Sequence, residues 1–239
     1  MNLFKQVMHY CERTSHAFWA EPLNAITNAA FLAAAAAAYW LCLKRGRADT
    51  GARVLIALAA LTGIGSFLFH TFATRWAMLA DIVPIGFFIY AYFFMALRRF
   101  LGLTSLASIA GTIGFSISGF MLEAALRGVL GSSAGYLPAL AALYGMTAAM
   151  MFTAPVKGPE GASNRRLAVA RLLGCAALLF TLSLFLRTID NAVCREIPVG
   201  THFLWHLLNA LVLYLLLRAV IIHFPFPGRF PSPPKEGGA

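Results

Sequence analysis

Long apolar stretches alternate along the chain with short segments that carry most of the charged and turn-forming residues. Each apolar stretch has about twenty residues, the length that an α-helix needs to cross the hydrocarbon core of a bilayer. Reading the chain in such windows predicts seven transmembrane helices. Their approximate limits are 22–43, 51–71, 77–97, 101–121, 135–154, 167–187 and 201–223. We therefore expect an all-α fold, a seven-helix bundle in a membrane.

Composition supports this fold and divides the chain into three parts. Of the 239 residues, 60% are hydrophobic and only 12% are charged, which is more apolar surface than a soluble core buries. Residues 1–21 contain no continuous apolar run, so we expect an outer N-terminal segment and no cleaved signal peptide. Residues 22–223 are the predicted transmembrane catalytic domain. Residues 224–239 are rich in Pro and Gly, which predicts a disordered cytoplasmic tail.

The charges in the loops predict the orientation of the bundle. If seven helices alternate in direction, thirteen of the 19 Lys and Arg residues fall on the side of the C-terminus and six on the other side. Basic residues favour the cytoplasmic side, so we expect the C-terminus in the cytoplasm and the N-terminus outside. Short loops without an N-x-S/T sequon suit a bacterial inner membrane, with the periplasm outside. The scattered basic residues form no patch for nucleic acid.

Two motifs place polar side chains near the outer ends of the predicted helices. The stretch "GIGSFLFHTFATRWAMLAD" spans the second and third helices and holds Ser66, His70 and Asp81. The seventh helix begins with "THFLWH", in which His202 and His206 are four residues apart and therefore share one helix face. Three histidines at one depth suit a tetrahedral zinc ion with a fourth position open for water. The sequence thus predicts a zinc site formed by these histidines.

The polar neighbours of the histidines extend this prediction to catalysis. Ser66 lies one helical turn before His70, placed to bind a water molecule or a carbonyl oxygen, and Asp81 is placed to accept a proton. Zinc lowers the pKa of a bound water from about 15.7 toward about 7 and polarises carbonyl groups. This is the chemistry that hydrolysis of an amide requires.

Each of these residues also has a simpler interpretation. An H-x-x-x-H pair alone is weak evidence for a metal, and a serine in an apolar helix more often serves helix packing. Trp76 and Trp205 fall near outer helix ends and are expected as interfacial aromatics. Ionisable groups are costly inside a membrane, however, so the convergence of three histidines and an aspartate favours a functional site.

The segments "GIGSFLFH", "LADIVP" and "HFLWH" resemble the alkaline ceramidase family of seven-span zinc amidohydrolases. The N-terminal segment "YCERTSHAFWAEPLNAITNAAF" is similar to the opening of the same family. That family belongs to a superfamily with the adiponectin and progestin receptors and with lipid-remodelling enzymes. The resemblance implies zinc ligation by His70, His202 and His206, oxyanion stabilisation by Ser66 and proton transfer by Asp81.

The resemblance also implies a calcium ion in the N-terminal segment, close to the zinc. Glu12 and Glu21 match two acidic ligands of that calcium site, whereas His9 stands where the family has an aspartate. Two interpretations therefore stay open. The two glutamates are candidate calcium ligands, or they pair with Arg13 or with arginines of the loops.

Two cysteines, Cys11 and Cys194, both fall on the predicted outer side, where a disulfide can persist. The resemblance implies that they pair. Such a bond would tie the N-terminal segment to the start of the seventh helix.

Together these features predict an integral membrane hydrolase that cleaves the amide of ceramide or a related N-acyl lipid into fatty acid and amine. Its partner would be a membrane lipid, and its pathway sphingolipid metabolism. Two alternatives stay open: a receptor-like or structural seven-helix protein in which zinc only joins helices, and an ester-cleaving lipid-remodelling hydrolase. A transporter is disfavoured, because the sequence has no inverted repeat and no matching pair of Gly- or Pro-broken helices.

Overall fold

The computed structural model describes residues 2–46, 49–152 and 162–223, and this part of the chain is helical without strands. The α-helices are α1 (Pro22–Thr27), α2 (Ala29–Lys44), α3 (Thr50–Phe72), α4 (Arg75–Arg99), α5 (Ser105–Leu130), α6 (Leu137–Phe152), α7 (Ala162–Ile189) and α8 (His202–His223). Short 3₁₀ helices, Gly131–Tyr136 and Asp190–Ala192, precede α6 and follow α7. The predicted disordered tail, 224–239, lies outside the described residues.

Six helical stretches among the described residues are long and apolar enough to cross a membrane. One of them, Ser105–Phe152, has 48 residues and contains both α5 and α6. These two helices touch, since a methyl group added to Gly119 of α5 would lie 3.3 Å from Pro138 of α6. The chain therefore folds back on itself within this stretch.

Helix α5 differs from the predicted span 101–121. It begins at Ser105 and continues to Leu130, so Glu123 and Arg127 lie on the helix, where they form an ion pair one turn apart. The predicted end was too early because the charged residues Glu123 and Arg127 directly follow the apolar window. On the helix these two charges pair with each other, so the helix continues past them.

Helices α3 and α4 are joined by a tight turn and pack closely. Ala73 ends α3 in the left-handed conformation, with φ at 47°. Eight residues earlier, Gly65 touches the backbone of α4, where a Cβ atom would lie 2.0 Å from the carbonyl oxygen of Ala80. Only glycine permits this approach. Because of it, the next residue on each helix, Ser66 and Asp81, lie side by side.

At their other ends the same two helices are held by charge. Asp49 accepts a hydrogen bond from the Ala52 amide at 3.1 Å and so caps the start of α3. Its two carboxylate oxygens also accept hydrogen bonds from Arg99, at the end of α4, at 2.6 Å each. Between the two ends, the core is formed by small and aliphatic side chains with no exposed surface, such as Ala38, Leu173 and Leu217.

Asp190 supplies the cap for the start of α8. Its Oδ1 accepts hydrogen bonds from the amides of Thr201 at 2.7 Å and His202 at 2.9 Å, donors that lack a partner within the helix. Its Oδ2 accepts a third from the amide of Cys11 at 3.1 Å. Gly200, with φ at +65°, lies so close that a Cβ atom would be 2.1 Å from Oδ1. This cap fixes where α8 presents its first histidine.

Candidate metal centre

Three histidines from two helices meet in the interior. His70 comes from the last turn of α3, and His202 and His206 from the first two turns of α8. One ring nitrogen of each lies within 4.8 Å of the other two, and all three residues are at most 2% exposed. Nitrogens that converge this closely suit a tetrahedral metal ion. The three residues named from the sequence are therefore brought together.

In two of the three imidazoles, Nδ1 is hydrogen-bonded to a neighbouring side chain, which orients the ring as a metal ligand. The Nδ1 of His70 lies 2.5 Å from Oε2 of Glu21. The Nδ1 of His206 lies 3.0 Å from the hydroxyl of Thr27, which itself donates to the Leu23 carbonyl and so accepts from the ring. Protons at Nδ1 leave the Nε2 lone pairs free to face an ion, the arrangement common around zinc.

Two ring nitrogen atoms at the centre are available to bind a cation. Within the described chain, Nε2 of His70 and Nδ1 of His202 are buried with no hydrogen-bond partner. Buried polar atoms in proteins are nearly always satisfied. The ring of His202 is stacked on Tyr10, with centroids 3.6 Å apart, so its position is fixed. These donors fit a metal ion, and their nitrogen-only character suits zinc more than calcium or magnesium.

Glu21 and Arg13 form a buried support behind His70. The guanidinium of Arg13 forms an ion pair with Glu21 and donates a hydrogen bond to the carbonyl of His70 at 2.8 Å. The side-chain amide of Asn24 donates to the same glutamate at 3.0 Å. Burial opposes the negative charge of Glu21, but the hydrogen bonds from His70 and Arg13 outweigh it and lower the pKa of this carboxyl. The charge of the glutamate is thereby kept.

The four carboxylate oxygens of Glu12 and Glu21 all accept hydrogen bonds from protein donors. Glu12 binds the backbone amides of Leu23 at 2.7 Å and Asn24 at 2.8 Å, where it caps helix α1. Glu21 is occupied by Arg13, His70 and Asn24. Of the two interpretations of these glutamates, the contacts favour the ion pair with Arg13. Calcium binding stays a prediction.

Ser66 and Asp81 lie beside the histidines, next to the close contact between α3 and α4. Ser66 is 3% exposed. Both residues, together with His202 and His206, line a cavity of about 1030 Å³. A hydroxyl, a carboxylate and imidazoles thus face one space that is large enough for part of a lipid. This set combines a hydrogen-bond donor, a proton acceptor and metal ligands, the groups that acyl transfer needs.

A second, narrower cavity of about 100 Å³ continues from the first and is almost wholly apolar. Trp205 and Tyr136 line both cavities and so lie at their boundary. The prediction that Trp205 is an interfacial aromatic is wrong: it is 6% exposed and packs its ring against Tyr136 at 5.0 Å. Its contacts with Tyr136 and Phe180 show that the ring faces the interior of the bundle.

The sulfur atoms of Cys11 and Cys194 lie 2.01 Å apart, at the distance of a disulfide bond. The bond ties the N-terminal segment to the loop between α7 and α8. It lies next to Tyr10, which covers His202, and to Asp190, which caps α8. The two residues paired from the sequence are therefore in contact.

Four residues in or beside the site were not named as site residues at the level of sequence: Tyr10, Asp190, Arg187 and Arg13, the last considered only as an ion-pair partner of the glutamates. Three of them are charged residues close to the outer ends of apolar stretches, so the cost of placing charge there was an available signal. The contact partners of these residues could not be predicted from the sequence, because each contact joins segments more than fifty residues apart or crosses a turn.

A search among curated proteins finds no match to this chain. The model of one protein family, described as Ceramidase, matches residues 7–224. That match covers every residue of the histidine centre, the cavity and the disulfide. The chain therefore belongs to the ceramidase family and is a hydrolase of the class that cleaves amide bonds.

Proposed function

We propose that this protein is a zinc-dependent hydrolase within the membrane that cleaves ceramide or a related N-acyl lipid to a fatty acid and an amine base. The observation that carries the proposal is the cluster of His70, His202 and His206 beside Ser66 and Asp81, with four of these five residues, all but His70, lining one cavity. The match to the ceramidase family supports the amide as the bond that is cleaved.

In this proposal His70, His202 and His206 hold the zinc ion. Zinc supplies Lewis-acid chemistry, polarising the amide carbonyl and making water a better nucleophile at neutral pH. The protein side chains perform the proton transfers. Asp81 accepts a proton from the attacking water as the new C–O bond forms. It then delivers that proton to the amine nitrogen as the C–N bond breaks, so that the base leaves neutral.

Ser66 has the role of an oxyanion donor. Its hydroxyl faces the same cavity as Asp81 and is placed to donate to the carbonyl oxygen as negative charge develops there. Removing one such donor costs about 10²–10³ in rate in other hydrolases. The apolar cavity behind Trp205 and Tyr136 is the proposed place for the acyl chain, since its lining offers almost no polar group to a headgroup.

We propose that the chain crosses the membrane seven times, with the N-terminal segment and the candidate metal centre on the outer side. The reversal between α5 and α6 supports a separate crossing for each. The excess of Lys and Arg on the opposite side supports a cytoplasmic C-terminus. The disulfide between Cys11 and Cys194 supports an oxidising compartment, such as a bacterial periplasm, at the site.

Release of fatty acid from ceramide by purified protein tests the catalytic roles. We expect Asp81→Asn and Ser66→Ala each to lower kcat by about 10²-fold or more, with melting temperatures close to that of the unmodified protein. Ser116→Ala is the matched control, because Ser116 lines the same cavity on α5 without a proposed role. Full activity of both site variants would overturn the mechanism.

The same assay separates the two alternatives. If zinc only joins helices, His206→Ala lowers the melting temperature and no N-acyl lipid is turned over by any form of the protein. The second alternative is tested with two lipids that differ only in having an ester or an amide bond. If the enzyme is an ester-cleaving remodelling hydrolase, its acceleration over the uncatalysed rate is larger for the ester than for the amide. We expect cleavage of the amide.

A further inference from the structure

The larger of the two cavities contains a cation that the proposed mechanism does not use. Arg187, near the end of α7, lines this cavity together with Ser66, Asp81 and His202. Its guanidinium lies over the rings of Tyr136 at 5.2 Å and Trp205 at 5.3 Å. Two aromatic faces fix the plane of the guanidinium and favour the charge.

Few of the donors of Arg187 are satisfied by the protein. One nitrogen donates to the hydroxyl of Ser133 at 2.8 Å, and Tyr10 lines the same cavity. No Asp or Glu in the described part of the chain lies within 4.0 Å of it. A guanidinium has five N–H donors, so several remain for a group in the cavity.

A second arginine, Arg127, differs from Arg187 in having a carboxylate partner. It also lines the cavity, but it forms an ion pair with Glu123 and its side chain is 68% exposed. The charge of Arg127 is therefore neutralised by the carboxylate and exposed to water. Arg187 lies over two aromatic rings and has no Asp or Glu within 4.0 Å in the described chain, so its remaining donors can bind an anionic ligand in the cavity.

The position of Arg187 indicates which part of a lipid it meets. Tyr136 and Trp205 separate the polar cavity from the apolar one, and Arg187 lies on the polar side. An acyl chain in the apolar cavity places the amide at Ser66 and Asp81. The amine half of the lipid then occupies the polar cavity, where Arg187 is.

We propose that Arg187 binds an oxyanion, a carboxylate or a phosphate, carried by the amine half of the substrate. This inference rests on the proposed function and adds a substrate class to it: N-acyl lipids with an anionic headgroup are preferred over neutral ceramide. A planar guanidinium binds either oxyanion through two parallel hydrogen bonds. A carboxylate formed from the acyl half is the second source of the same chemistry.

Initial rates on lipids with one common acyl chain test the substrate class. The panel is a neutral ceramide, its 1-phosphate and an N-acyl amino acid. We expect kcat/KM to be at least about tenfold higher for the two anionic lipids than for ceramide. This ratio corresponds to the free energy that a hydrogen bond to a charged group contributes. In Arg187→Gln this preference falls by about tenfold or more, while kcat/KM for ceramide changes less than about threefold. Arg187→Lys keeps part of the preference, because it keeps the charge.

Arg127→Gln is the matched control and should leave the preference within about twofold. Equal losses on ceramide and on both anionic lipids in Arg187→Gln would overturn the proposal and assign Arg187 a structural role. A preference for ceramide in the unmodified protein would also overturn it. If instead Arg187→Gln only relieves inhibition by free fatty acid, the anion belongs to the acyl half and the assignment to the amine half is wrong.

Binding without turnover separates this inference from the proposed function. Titration of the unmodified protein with dodecyl phosphate and with dodecanol, followed by tryptophan fluorescence, should give about tenfold tighter binding of the phosphate. The difference should disappear in Arg187→Gln. If no N-acyl lipid is cleaved but this difference is found, the proposed function fails and the anion site stands. Equal binding of both probes would overturn the anion site whatever the enzyme cleaves.

Discussion

At the scale of single residues, the metal centre depends on side chains that touch no substrate. Glu21 receives a hydrogen bond from the imidazole of His70 and is itself held by Arg13 and Asn24. This chain of contacts fixes both the orientation of His70 and the position of its proton. A carboxylate in that position raises the basicity of the ligand and tightens metal binding.

Replacing Glu21 by Gln should therefore weaken zinc binding by about 10- to 100-fold. The amide keeps the volume of the side chain but cannot provide the charge. Competition with a chromophoric chelator measures the affinity directly. Glu12→Gln is the control: it removes charge from the cap of α1, and its zinc affinity should stay within about threefold of normal. Equal affinity in both variants would contradict the role of Glu21.

Arg13→Met should lower the free energy of unfolding by about 3–5 kcal/mol, because it leaves the buried charge of Glu21 without its partner. Thermal or denaturant melts in detergent measure the loss.

Calcium added to the unmodified protein should leave the melting temperature unchanged, since Arg13 already occupies the carboxylate. A rise with calcium would instead favour the family's calcium site.

Ser66 and His70, and likewise His202 and His206, could be placed on common helix faces because they are four residues apart. Asp81 could be named because it lies at the same predicted depth on the next helix. The residues around them could not. Asp190 was visible as an acid near a helix end, but its three amide donors come from segments that only the folded chain brings together. Trp205 was misread because its neighbours, Tyr136 and Phe180, lie on other helices.

At the scale of elements, the contact between α3 and α4 brings Ser66 and Asp81, the proposed catalytic pair, together. Gly65 lets the two backbones touch, and Ser66 and Asp81 follow directly on each helix. Small residues at helix contacts are the usual way that membrane helices approach closely. The position of the pair is therefore a consequence of packing between two helices.

Gly65→Ala should separate α3 from α4, lowering the free energy of unfolding by about 1–3 kcal/mol. Activity should fall by more than about tenfold, since small displacements of reacting groups are costly. Melting temperature and fatty-acid release measure both effects. Gly114→Ala, on α5 where an added methyl group meets nothing within 4 Å, should be neutral or slightly stabilising. Similar behaviour of the two variants would contradict the packing argument.

At the scale of the whole molecule, the N-terminal segment completes the site from outside the bundle. It provides Tyr10 against His202, Arg13 and Glu21 behind His70, and Cys11 for the disulfide. The apolar stretches and their order could be predicted from hydropathy, and six stretches of the described chain are long and apolar enough to cross a membrane. The end of α5 could not be predicted, because Glu123 and Arg127 pair on the helix and let it continue past the apolar window.

The disulfide should hold this segment in place. Replacing Cys11 and Cys194 together by Ser should lower the free energy of unfolding by about 2–4 kcal/mol and weaken zinc binding. A reducing agent should do the same to the unmodified protein, and should not change the double variant further. Full stability of the double variant would mean that the segment is held by its other contacts alone.

The central claim is that the three histidines hold the zinc ion that the reaction needs, and metal content measured together with turnover tests it most directly. We expect purified protein to contain about one zinc ion per chain and to release fatty acid from an N-acyl lipid. Chelation should abolish the release and zinc should restore it, while His206→Ala should neither hold zinc nor turn over. Protein that lacks metal yet cleaves the amide at the full rate would contradict the account.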